Sequence, residues 1–267
     1  MTTAAKSPDA LQISDGELKV PPWLQFGALS TRNIRAALRQ GDAVLAFAQP
    51  VVFFVCFYVP LRHSLESPGV KYAQYLLPVI VAYAMFFSSM FAGDRAAKEV
   101  VGGMATRLRS MPVPPWVPVS ARLSANMARA VTSLVGALVI GSVFGFRFHS
   151  AGTAVLFVVV VLAFGAGLMV ATDALGTVTR NPELSGTVLF GPQLLLILAS
   201  TGLVPAEGFP GWIQPFVRNQ PVSQIAAALR GLADGRVVSE LGVAAAWIVG
   251  LFVVGAVLAV RAEGHRA

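Results

Sequence analysis

Residues 155–164 read VLFVVVVLAF. In water, such a β-branched run is a buried strand. Its surroundings decide otherwise. The apolar stretch runs from Thr153 to Thr172 with no charged residue inside it. A bilayer core takes about 20 apolar residues as a helix. In lipid, every backbone group must be satisfied internally, which a lone strand cannot do. The run is therefore expected to be a transmembrane helix despite its valines.

The rest of the chain agrees. Of its 267 residues 55% are hydrophobic and 12% charged, with a mean hydropathy of +0.69. A soluble domain carries about 25% charged residues. Six spans are expected, at roughly Ala43–Leu61, Tyr72–Ala92, Asn126–Phe146, Thr153–Thr172, Gly186–Val204 and Leu241–Val260. The expected fold class is an all-α integral membrane protein with six transmembrane helices. No cleavable leader is expected, because the first apolar run begins only at Ala43.

A net charge of +7 would suggest nucleic acid in a soluble protein. Here topology explains it. Fourteen Lys and Arg lie with the two termini and the even-numbered connections, and six on the opposite side. The positive-inside rule then puts both termini in the cytoplasm, and the plasma membrane is the expected location. Before the first span, Ile34, Ala37 and Leu38 share one helical face, and Arg32, Arg35 and Arg39 share the other. This reads as an amphipathic helix in the membrane interface, with Ser30 or Thr31 as its N-cap. Residues 1–25 read as a flexible cytoplasmic tail and 26–262 as the transmembrane domain.

Several functions are excluded. Cys56 has no partner and reads as a small buried hydrophobe. The three histidines are too scattered for a zinc site. The span centres hold no ionisable residue; Arg129 and Asp173 lie near the cytoplasmic ends. An ion-driven carrier needs such a group at mid-depth. No Gly-Lys dipeptide occurs, so the chain has no phosphate-binding loop of the Walker type. Energy for any driven transport must come from another polypeptide.

Aromatic residues cluster on the first two spans, at Phe53, Phe54, Phe57, Tyr58, Tyr75, Tyr83, Phe86 and Phe87. A wall for a bulky apolar substrate has this pattern, and so does ordinary helix packing. Gly141 and Gly145 form a GxxxG pair suited to close packing. Pro50 and Pro192 are expected to bend or break their spans.

Two connections are unusual. The first, TRLRSMPVPPWVPVSAR over Thr106–Arg122, follows Gly102-Gly103, which can end the preceding helix. It is stiff, basic and tipped by Trp116. Such a knob suits a groove on a soluble partner, since Trp and Arg dominate protein interfaces. It would equally rest Trp116 among headgroups. The second follows the fifth span, where Pro205, Pro210, Pro215 and Pro221 interrupt an apolar sequence. It reads as two short re-entrant helices on the outer side, the second about Val222–Leu232 and stopped by Gly235.

Taken together, the two connections resemble those of the membrane subunit of type-2 ABC exporters, most closely the daunorubicin/doxorubicin-resistance permeases. Gly103, Arg107, Arg109, Ser110, Met111, Pro112 and Arg122 match the cytoplasmic pattern of that group. Pro205, Pro210, Gly211, Trp212, Ile213, Gln214, Pro215, Phe216, Gln220, Pro221, Val222, Ser223, Leu229, Arg230, Gly231 and Leu232 match the outer one. The tip VPPWVP is richer in proline than the pattern. The resemblance spans about residues 26–262.

The resemblance implies a permease that binds no cofactor itself. It would work with a second permease, identical or not, and with two cytoplasmic ATPase subunits that carry ATP and Mg. Met104–Pro118 would be the coupling helix, with Arg107, Arg109, Met111, Pro112 and Trp116 gripping the ATPase. Substrate would pass along the first, second and fifth spans, where Phe53, Phe57, Tyr83, Phe87 and Phe190 stand. Trp212, Phe216, Gln220 and Pro221 would form the extracellular gate. The cargo would be a drug-like compound or a cell-envelope lipid. A non-transporting scaffold or a secondary antiporter are the rival readings; the first predicts no ATPase partner, the second transport driven by a proton gradient.

Overall fold

A computed structural model describes residues 21–39, 41–65, 72–104, 114, 116–179, 191, 193–201 and 209–264. Among these residues there is no strand. The helices are α1 (Pro22–Arg39), α2 (Asp42–Leu65), α3 (Tyr72–Val101), α4 (Trp116–Val143), α5 (Ala151–Thr179), α6 (Gln214–Asn219), α7 (Pro221–Ala233) and α8 (Glu240–Gly264). Five of them, α2, α3, α4, α5 and α8, are long and apolar enough to cross a membrane. Of the expected fifth span, residues 193–198 are helical and most of the first half lies outside the described residues. Val155–Phe164 lies wholly within α5, so the helical reading of the valine run holds.

Helix α1 starts at Pro22, well before the expected cap at Ser30 or Thr31. Proline suits a first helical position because its missing N–H would be unpaired there anyway. The amides of Leu24 and Gln25 close the first turn on the Pro21 carbonyl at 3.0 and 3.3 Å. Ser30 is instead buried and accepts a hydrogen bond from the Ser124 hydroxyl of α4 at 3.0 Å. The basic face is where the periodicity puts it: Arg32 and Arg35 are exposed and Ile34 is partly covered.

Helix α2 runs on through Pro50 and Pro60. Ala46, Pro50, Phe54 and Tyr58, spaced four apart, form its buried stripe. Val52, Val55, Cys56 and Val59 face outward. Cys56 is thus exposed on the chain's apolar outer face rather than buried, because the burial stripe of α2 is only one residue wide. Pro192 lies outside the described residues.

Helix α3 is the axis of the bundle. Of its apolar window 83% is buried, against 22% for α2 and 17% for α8. It meets α5, α4, α2 and α7. Lipid is as apolar as the side chains, so helices in a bilayer associate by close packing and hydrogen bonds. Small residues mark the closest approaches. A Cβ on Gly176 of α5 would clash with the Gly93 carbonyl of α3. One on Gly141 would lie 2.6 Å from a Leu77 methyl, so this residue packs as expected. Gly145 does not: α4 ends at Val143, and Gly145 turns the chain with φ of 94°. Gly103 and Gly235, with φ of 70° and 77°, follow the ends of α3 and α7 as their sequence positions suggested.

Candidate functional site

Charged side chains gather at the two ends of the bundle and leave its middle uncharged, though it holds buried polar groups such as Ser89 and Gln193. At one end, the start of α4 brings Arg122 between α3 and α5. Its Nε and Nη2 donate to Oδ1 and Oδ2 of Asp173, each at 2.9 Å. Its Nη1 donates to Glu99 Oε2 at 2.7 Å. A planar guanidinium matches a carboxylate in this two-pronged way. Arg122 is 9% exposed and the Asp173 side chain 6%. A second set lies beside it. Asp42 at the start of α2 pairs with Arg95 of α3. Arg129 of α4 donates to the Asp42 carbonyl at 3.3 Å and lies 3.8 Å above the Phe91 ring. Cation and ring attract through the ring quadrupole. Between α1, α3 and α4 opens a groove of about 220 Å³ lined by Asn33, Ala36, Arg95, Lys98, Glu99, Arg122 and Ala125.

At the same end Trp116 is the first residue of α4 and 55% exposed, while its neighbour Val117 is fully buried. The expected partner-gripping residue therefore projects from the bundle on a well-seated helix. Arg107, Arg109, Met111 and Pro112 lie outside the described residues.

At the opposite end the short pair α6–α7 folds back onto α3, as two helices parted by Gln220. Pro215 and Pro221 stand in their first turns, where proline costs no hydrogen bond. Gln220 is buried, and its Nε2 donates to the Ala199 carbonyl at 2.6 Å. Ser223 Oγ accepts from the Thr201 amide at 3.0 Å. Arg230 Nε donates to the Tyr75 carbonyl at 3.2 Å, with its guanidinium 3.6 Å above the Tyr75 ring. The Tyr75 hydroxyl donates to the Thr201 carbonyl at 3.1 Å. Gln74 Nε2 bonds the Arg147 carbonyl at 3.0 Å and Asp234 at 3.3 Å. The pair is thus riveted to α3 and to the end of the fifth apolar stretch.

Of the residues expected at the gate, Gln220 is one of these rivets and Pro221 opens α7. Trp212 and Phe216 face outward, 82% and 55% exposed. Of those expected along the path, Phe53 and Phe87 touch, ring centres 5.2 Å apart, and Phe57 lies beside Phe53 at 6.3 Å. All three are partly covered. Tyr83 is fully enclosed, its hydroxyl donating to the Ile197 carbonyl at 3.0 Å and 2.8 Å from Ser200 Oγ. Its surroundings are those of a packed core. Phe190 lies outside the described residues. Much of the remaining aromatic cluster is interior packing, with Phe54, Tyr58 and Phe144 in mutual contact at 4.8 to 5.5 Å.

The ion pairs at the Asp173 end were missed by sequence reasoning, although Arg129 and Asp173 stood out as charges near span ends. The one signal available was general: a charge drawn into a helix bundle needs a partner, without saying which.

The chain matches the family model described as ABC-2 family transporter protein over residues 50–261. It is 38% identical over 218 residues to the doxorubicin resistance ABC transporter permease protein DrrB of Mycobacterium tuberculosis (strain ATCC 25618 / H37Rv), covering 78% of this chain and 75% of that one. To the probable doxorubicin resistance permease DrrC of the same strain it is 37% identical over 239 residues, covering 88% and 84%. To the daunorubicin resistance permease DrrB1 of Streptomyces coeruleorubidus it is 28% identical over 206 residues, covering 76% and 69%.

Proposed function

Because the chain belongs to the ABC-2 transporter family, we propose that it is the permease of an ATP-driven exporter for a hydrophobic or amphipathic substrate. It lies in the plasma membrane with both termini cytoplasmic and the Asp173 end inward. The cargo is a drug-like compound or a cell-envelope lipid, moved outward. The family match across residues 50–261 carries the reading. The uncharged middle of the bundle supports an uncharged or greasy cargo, since a charged one would need a fixed counter-charge there.

In this reading the chain does no chemistry. Two ATPase subunits bind ATP and Mg, and their closure pushes on the segment that leads into α4. Arg107, Arg109, Met111, Pro112 and Trp116 grip them. A second permease, identical or related, completes the path, with Phe53, Phe57, Tyr83, Phe87 and Phe190 on the spans beside it. Trp212, Phe216, Gln220 and Pro221 belong to the outer cap that opens for release.

The test begins with gentle purification from the native membrane. A soluble subunit with a phosphate-binding loop should co-purify, and vesicles holding the complex should move doxorubicin when given ATP. Absence of any ATPase after crosslinking, or transport that follows a proton gradient alone, would overturn the reading. Replacing Arg107, Arg109 and Trp116 together with Ala should release or uncouple the ATPase while the permease still inserts. Unchanged ATP-driven transport would remove these residues from the coupling role.

A further inference from the structure

We propose that Arg122 is a positioning residue for transport. It clamps the ends of α3 and α5 to α4, so that displacement at the Trp116 end moves the three helices as one body. The inference rests on the exporter reading above and names a component that the reading does not require.

Three observations carry it. First, Arg122 is the crossing point of three helices. Each of its nitrogens is engaged, two with Asp173 of α5 and one with Glu99 of α3. Second, it stands close to the start of α4. At 1.5 Å per residue it is ~9 Å along the axis from Trp116. Val117 and Ala121, in the turns between, are buried to 0% and 1% exposure, which keeps this part of α4 seated. A push on the exposed Trp116 end therefore meets the clamp before it meets the rest of α4. Third, the clamp is saturated where the next polar groups on α4 are not. Asn126 is fully buried with neither amide atom partnered, and Arg129 Nε and Ser133 Oγ are likewise buried without partners among the described residues. A buried network satisfied at one point and open just beyond it has its fixed point at the satisfied part.

Gly93 and Gly176 add a geometric reason. Beside the clamp the α3 and α5 backbones touch without intervening side chains. Two helices so close, and pinned to a third by one guanidinium, cannot slide past one another without breaking the fork.

The experiment uses the whole complex, permease with its ATPase, in vesicles. Export of doxorubicin and ATP hydrolysis are measured together, and the readout is substrate exported per ATP, normalised to assembled complex. Arg122→Lys keeps the charge and loses the fork. It should still bind the ATPase and should lose about tenfold in export per ATP. Glu99→Gln removes the more exposed arm and leaves the Asp173 pair. It should lose about two- to threefold. A role in stability alone would lower the yield of complex and leave the ratio unchanged. A wild-type ratio in both variants overturns the proposal. If Arg122→Lys does not assemble, a wild-type ratio in Glu99→Gln overturns it by itself. A wild-type complex with no ATP-driven export of doxorubicin or of a labelled long-chain lipid defeats the exporter reading, and this inference with it; a coupled wild type with coupled variants defeats the clamp alone.

Discussion

At the scale of the residue, the bundle depends on a few small or polar side chains set between large apolar ones. Gly176 leaves no room for a methyl beside the Gly93 carbonyl. Gly176→Ala should lower stability by about 1–3 kcal/mol through overpacking, read as a drop in unfolding temperature in detergent. Gly250→Ala, with nothing within 4 Å of the added carbon, is the neutral control. Asn126 gives the opposite sign. Its amide is buried without a partner among the described residues, so Asn126→Leu removes a desolvation cost and should raise the unfolding temperature, by the equivalent of about 1–3 kcal/mol. Tyr83→Phe removes the contacts with Ile197 and Ser200. It should cost about 1 kcal/mol, and a larger loss of export than of stability would support the place of Tyr83 beside the substrate path.

At the scale of the element, the sequence was legible where length and composition decide and illegible where partners decide. The valine run of α5 reads as a helix because an unbroken apolar stretch of that length has one solution in lipid. Helix α7 reads almost to the residue, because Pro221 and Gly235 punctuate it. The start of α1 does not. Ser30 has the chemistry of a cap, yet its hydroxyl is taken by Ser124, far away in sequence. Nor is the Arg122 clamp readable, since its three members lie on three helices and nothing local announces their meeting. The rivets of the α6–α7 pair explain which changes it tolerates. Trp212 and Phe216 point away from the fold, whereas Gln220 and Arg230 hold it. Replacing Trp212 and Phe216 with Ala should impair export and leave ATPase binding intact, checked by co-purification and vesicle transport in parallel. Loss of the ATPase would place this element on the cytoplasmic side.

At the scale of the whole molecule, the alternation of ends makes a sharp topological prediction. The structure puts Trp116 and Trp212 at opposite ends of the bundle. In a Cys56→Ala background, a membrane-impermeant thiol reagent applied to intact cells should label Trp212→Cys and spare Trp116→Cys. Permeabilised cells should label both. The reverse pattern would invert the orientation assigned from the basic residues, and the direction of transport with it.

The central place of α3 bears on how the protein is made. Ribosomes deliver α2 and α3 before α4, α5 and α7, the helices that later enclose α3. During that interval α3 has only α2 among its eventual neighbours beside it in the bilayer. Its Leu, Ile, Val and Phe side chains, unneeded as a shield once neighbours arrive, are what let it enter the bilayer alone. The greasiness of the most enclosed helix is thus a requirement of biogenesis, inherited by the finished transporter.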